Sequence, residues 1–170
     1  GDPASIPDLT YEDYLAFHKK YYHPSNSYLY LYGNMDMEEK LNWIDENYLS
    51  HFEKIEVDSE VRLQKPFAER KEEYGFYSVT EGEDTEGKAY FSYNTVCGDG
   101  LDRNLYRAFP VLSYVLVQSI GAPLKQALLD AGIGNDISCY YEESVRQPFF
   151  SIIAKNVKME QKQQFITVIE

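Results

Sequence analysis

Between Leu9 and Asp36 the chain reads LTYEDYLAFHKKYYHPSNSYLYLYGNMD, and this run limits what it can fold into more than any other. Thr10 with Asp13 three residues on caps a helix, and Tyr11, Leu15, His18 and Tyr22 follow at helical spacing. His23-Pro24-Ser25-Asn26 ends that helix, because the residue before a proline is pushed out of the helical region. Ser27 to Tyr32 then alternates Tyr28, Tyr30 and Tyr32 with Leu29 and Leu31, which predicts a strand with one aromatic and one aliphatic face. A chain that changes period within a few residues is a mixed helix and strand fold.

The remainder follows the same logic. Asp36 and Glu39 frame a second capping box before a helical stripe of Met37, Leu41, Ile44, Tyr48 and Phe52. Residues 53 to 73 read as an extended connector. Tyr74 to Val79 and Lys88 to Val96 alternate on either side of the Gly82 to Gly87 turn region, so they are expected to pair antiparallel. Asp102 caps the apolar run Leu105 to Ile120, hydrophobic nearly all round and therefore expected as a central buried helix, with Pro110 breaking or kinking it. Pro123 opens a short helix that Gly132 ends. Asp136 to Tyr141 and Phe149 to Lys155 pair across a turn, and Lys158 to Glu170 starts a last amphipathic helix.

This order predicts an α+β two-layer sandwich, an antiparallel or mixed sheet with helices on one face. Residues 1 to 8, with two prolines, read as a linker, and 9 to 170 as a single domain cut within its last helix. At 170 residues such a domain buries roughly 70% of the surface its unfolded chain exposes. With 16 Tyr and 9 Phe, much apolar surface carries a hydroxyl that wants a partner, which suits half-wet sheet faces and peptide-binding walls.

A formal charge of −12 opposes nucleic acid or an anionic membrane as partner, since both select clustered Lys and Arg. Cys97 and Cys139 give neither a disulfide framework nor a zinc knuckle and read as reduced core residues. No apolar run approaches the ~20 residues of a membrane span, so a soluble, reducing, cytoplasmic setting is expected. No H-x-x-E-H, H-E-x-x-H, Gly-rich phosphate loop or G-x-S-x-G occurs. His18 reads as a core or interface residue and His23 as a turn residue bonding backbone, and no two histidines sit on adjacent helical turns as a metal pair would. The acidic run Glu81 to Gly87 lacks the ligand order of a calcium loop and reads as a solvated hairpin tip.

LTYEDYLAFHKKYYHPSNSYLYLYGNMDMEEKL resembles the start of the second domain in pitrilysin/insulinase-type zinc peptidases, in their presequence-protease branch. GAPLKQALLDAGIGNDISCYYEESVRQPFFSIIAKNV is similar to that domain's helix and closing hairpin. The resemblance implies hinged clamshells of homologous α+β domains that enclose unfolded peptides. In them an upstream domain carries zinc, two His and the general base of an inverted motif, and a later Glu. None of that set is in this chain, so the resemblance makes it a non-catalytic chamber wall, with zinc and the peptide hydrolase activity in the parent protein. Its partners would be unfolded peptides and the other domains of the same polypeptide. An inactive relative that binds peptides or helps assembly is the alternative.

By the resemblance, the positions that anchor a peptide by strand addition are Ser119, Ile120, Gly121 and Ala122 with Ser138, Cys139, Tyr140 and Tyr141. Cys139 and Tyr140 stand where insulin-degrading relatives have small glycines. Ser119 to Ala122, at a helix start, also offers free backbone N–H groups to an anion or peptide terminus. The purified 170-residue chain is expected to hold no stoichiometric zinc by metal analysis and to cleave no fluorogenic peptide, and chelator-sensitive cleavage by it would overturn this reading.

Overall fold

A computed structural model describes residues 2–170, which form two compact units, 2–62 and 63–170.

In the first unit, α1 (Tyr11–Tyr21) begins where the Thr10 hydroxyl accepts from the Asp13 N–H at 3.1 Å, and α2 (Met37–Asn47) begins where Asp36 accepts from the Glu39 N–H at 2.9 Å. Both N-caps form as expected, without the reciprocal bond that would complete a capping box. The His-Pro-Ser-Asn turn after α1 is a small fastener. His23 Nδ1 accepts from the Ser25 N–H, Asn26 Nδ2 donates to the Tyr21 carbonyl, and Ser25 and Asn26 hold the connector at Ile55 and Ser59. Ser27 to Tyr32 forms neither helix nor strand, so the expected strand is missing, because no neighbouring strand pairs with it among the described residues, and Tyr28, Tyr30 and Tyr32 are all exposed. His18 is exposed and stacks on Tyr22 at 4.7 Å. No residue from 2 to 62 is buried.

The core belongs to the second unit. A three-stranded antiparallel sheet runs in the order β1 (Ala89–Val96), β3 (Phe149–Val157), β2 (Asp136–Glu142). The register sets residues in rows across it. Phe91, Ala154 and Ile137 form one row, Tyr93, Ile152 and Cys139 the next, and Thr95, Phe150 and Tyr141 the third. These rows make a dry face, while Tyr90, Lys155 and Asp136, then Ser92, Ile153 and Ser138, then Asn94, Ser151 and Tyr140 make a polar one. Lys155 pairs with Asp136 at 3.3 Å on that polar face, and Ser151 donates to Asn94 at 2.5 Å. A two-residue period thus decides which side faces the helices.

Against the dry face lie α3 (Arg103–Ser113), the π turn Tyr114–Gln118, α4 (Pro123–Asp130) and α5 (Lys162–Ile169). They contribute Val117, Leu128, Phe165 and Ile166 to the core. The arrangement is the α+β class expected. The run 105 to 120 departs from expectation, since only Ser113 and Val117 of its two helical stretches are buried and Val111, Leu112, Tyr114 and Val115 are exposed. Pro110 lies inside α3 without ending it, and the backbone widens to the π turn one helical turn later. Tyr74 to Val79 is not a strand and is not in the sheet, so the expected pair with β1 is missing. The acidic tip is locally spent as expected, with Glu83 on Lys88 and on the Thr80 N–H, and Glu86 on Lys158.

Leu128 is fully buried, whereas Leu41 of α2 is half-exposed. Leu128→Ala should destabilise the chain by about 2–5 kcal/mol, as truncation of a core leucine does. Leu41→Ala should stay within about 0.5 kcal/mol. Urea unfolding followed by circular dichroism reads both, and equal losses would sink this assignment of the core.

Candidate peptide-anchoring edge

Every β2 residue finds its ladder partner on β3, and among the described residues no strand pairs with its other side. That side therefore presents unpaired backbone N–H and C=O groups, the requirement for strand addition. Side chains of a strand project above and below the sheet, so bulk at Cys139 and Tyr140 does not lie across the open edge. Cys139 points into the core, where its thiol approaches the Ser113 carbonyl at 3.5 Å and the Gln118 side chain. Tyr140 stands on the polar face, 44% exposed, with its ring edge-on to Phe149 at 5.8 Å. Ser138 shares that face, and Tyr141 turns inward to stack on Phe109 at 5.0 Å. The four strand residues thus divide into two that line the edge's polar flank and two that anchor the strand.

The loop Ser119 to Ala122 is placed by the π turn. The Ser119 N–H donates to the Tyr114 carbonyl at 2.8 Å, five residues back, and the Ala122 N–H closes a turn onto Ser119 at 3.1 Å. Gly121 has φ +72°, a left-handed conformation that glycine adopts without strain. Ala122 is buried and pins the loop's end, while Ile120 is fully exposed at its tip. α4 has no side-chain cap, and Pro123 lacks an N–H, so Leu124 and Lys125 carry the free donors of its first turn. The π turn and α4 both contact β2, and Gln118, the last residue of the π turn, lies close enough to Cys139 to act on its thiol. The structure brings the loop's root and the strand together in this way, with Ala122 and Cys139 in packing roles and Ile120, Gly121, Ser138 and Tyr140 left accessible.

Gln118 was not among the residues singled out by sequence. Its only signal is position, directly before the small-residue turn, and its nearness to Cys139 is a product of the π turn. Tyr141 has a buried hydroxyl with no partner, and burial raises its pKa, with smaller contributions from Cys97 and Glu143. Burial likewise raises both thiols.

Among the described residues no group of three or more His, Cys, Asp or Glu could hold a metal ion. His18, His23 and His51 are engaged by Tyr22, the Ser25 N–H and the Tyr48 carbonyl. The zinc that the resemblance implies does not fit these residues. No described helix is long and apolar enough to cross a membrane.

Residues 8–169 match the family described as "Peptidase M16 inactive domain". The chain is 48% identical over 169 residues to "Protein HypA" of Clostridium perfringens (strain 13 / Type A), a match that covers 99% of this chain and 17% of that protein. It is 31% identical over 176 residues to the mitochondrial presequence protease of Xenopus tropicalis, covering 99% of this chain and 17% of the relative. Presequence protease 1, chloroplastic/mitochondrial, of Arabidopsis thaliana is 32% identical over 168 residues, 96% of this chain and 16% of its own length. The chain thus spans about a sixth of the length of the curated relatives it matches.

Because the folded chain keeps both thiols protonated where an unfolded thiol, of pKa about 8.5, ionises, their contribution to stability is complete below that pH and falls as pH rises through it. The urea midpoint should therefore drop between about pH 8 and about pH 9.5, a window below lysine titration, and the drop should shrink in Cys97→Ala/Cys139→Ala. A midpoint independent of pH there, or rapid alkylation of the native thiols at neutral pH, would contradict their placement.

Proposed function

We propose, from the premise that this chain belongs to the family of the peptidase M16 inactive domain, that it is the non-catalytic part of a larger zinc-dependent oligopeptidase and anchors an extended peptide by strand addition to the outer edge of β2. The observation that carries the reading is the unpaired side of β2, flanked by Tyr140 and by the exposed loop tip at Ile120. A peptide laid along Ser138 to Tyr141 takes its main-chain hydrogen bonds from the strand, largely independent of sequence, and its side chains alternate between the polar flank and the loop. That suits a chamber wall, which must hold many unfolded peptides rather than one.

Cleavage in this scheme takes place on residues outside this chain. What the edge contributes is orientation, since fixing one end of a substrate lowers the entropy lost in presenting the rest. The buried free thiols accord with a reducing compartment.

Peptides methylated at alternate backbone nitrogens provide the test. If strand addition operates, each methyl group that removes a hydrogen bond to β2 should cost about 1 kcal/mol, about fivefold in Kd by fluorescence anisotropy, and methyl groups at the intervening positions should cost little. In the full-length protein Tyr140→Gly should change KM for long peptides and spare short ones that cannot reach. No alternation along the peptide, together with unchanged length preference, would leave β2 a packing edge only.

A further inference from the structure

The other edge of the sheet borders a groove of about 690 Å³ lying wholly within residues 63–170. One long wall is Lys88 with the outer side of β1 from Ala89 to Asn94, which among the described residues pairs with β3 alone. The facing wall comes from the segment 70–79, which lines the groove opposite β1 without joining its ladder. Side chains hold that segment off. The Tyr77 hydroxyl donates to the Lys88 carbonyl at 2.5 Å and its ring stacks on Tyr90 at 5.4 Å, while Lys162 Nζ reaches Glu72 at 2.5 Å and the Tyr74 hydroxyl at 2.6 Å. The Lys88 carbonyl is thus bonded by a phenol where a neighbouring strand would supply a backbone N–H. The floor is apolar, with Phe91 on Phe165 at 5.5 Å and Ile166 beside them.

The charge of the lining is opposite to that of the chain. Arg70, Lys71, Lys88 and Lys162 face the groove against two carboxylates, Glu72 and Glu73, in a protein whose acidic residues outnumber its basic ones 28 to 16. We infer that this groove is a second peptide site, which takes an extended acidic peptide as an added strand on β1. Unpaired backbone along one wall supplies the register, the Phe91–Phe165 floor takes an apolar side chain, and the cations on the rim select carboxylates. Lys88, Lys162 and Arg70 are each held by an exposed carboxylate of the chain, Glu83, Glu72 and Glu170, which a peptide carboxylate can replace, and Lys71 makes no ion pair among the described residues. The ligand class differs from that of the β2 edge, where main-chain contacts dominate.

Labelled peptides alternating Phe with Glu, Gln or Lys, titrated into the 170-residue chain with hydrogen exchange on the same samples, test the inference. The Glu peptide should bind at least about tenfold tighter than the Gln peptide and lose that advantage in high salt. It should protect the amides of 89–95 but not those of 136–142. Lys162→Met should weaken the Glu peptide by about tenfold and leave the Gln peptide unchanged. Since the comparison among peptides uses the unaltered protein, a variant that fails to fold does not remove the test. Equal affinity for Glu and Lys peptides would overturn the site, as would protection at 136–142 instead of 89–95. So would full protection of both 74–79 and 89–95 without peptide, which would mean that the chain's own segment fills the groove, or a concentration-dependent dimer that protects β1.

Discussion

Everything in the second unit depends on β3 being the interior strand. It is the one strand bonded on both sides, and its residues Phe150, Ile152 and Ala154 stand in the middle of the three dry rows. Those rows give the helices a surface to cover, and Val117, Leu128 and Phe165 reach it from three different elements. The same strand makes β1 and β2 edges. An edge strand is ordinarily blunted by charge, a bulge or a covering element because it templates further pairing. Here β1 carries a register shift at Ala89/Tyr90 and borders the groove shared with segment 70–79, while the π turn and α4 that flank the small-residue loop contact β2.

The two edges differ in how their surroundings are built. Near β2 the neighbours are short-range products of the backbone, a π turn, a left-handed glycine and a helix start without a side-chain cap. Near β1 they are long side chains, chiefly Tyr77 and Lys162, acting as spacers. Backbone features are rigid and indifferent to the sequence of a partner, while lysine heads on flexible stems respond to charge and salt. The contrast is the ground on which the β2 edge is proposed for many peptides and the β1 edge for acidic ones.

Much of this could be read directly from residues whose effect is local. Thr10 and Asp36 bind the N–H groups that their spacing promises, His23 closes its own turn, and both cysteines are core residues. Alternation predicted strands at Ser27 to Tyr32 and at Tyr74 to Val79, and neither segment is a strand in the structure. It could not supply a partner strand, because pairing is a long-range property of the sheet order and a two-residue period is the same in a paired and an unpaired strand. The apolar run 105 to 120 misled for a related reason. Its composition fits a buried helix, yet one sheet face can cover only one side of it, leaving Val111 and Val115 in solvent. Ser138 to Tyr141 came from the family resemblance and not from their own pattern, and that β2 is an edge is visible only in the sheet order, with β3 between the other two strands.

The π turn at Tyr114–Gln118 has a meaning beyond the hydrogen bonds it contains. Closing a ring over five residues where an α-helix uses four accommodates one extra residue without lengthening the axis by a full step. Every side chain after it is rotated in phase relative to those before. The address of the Ser119 to Ala122 loop is therefore encoded in a count of residues rather than in their identities. Among relatives, a one-residue deletion between Ser113 and Ser119 would move the loop off the strand while every residue type in it stayed the same, so spacing is the property by which to judge whether this edge is shared.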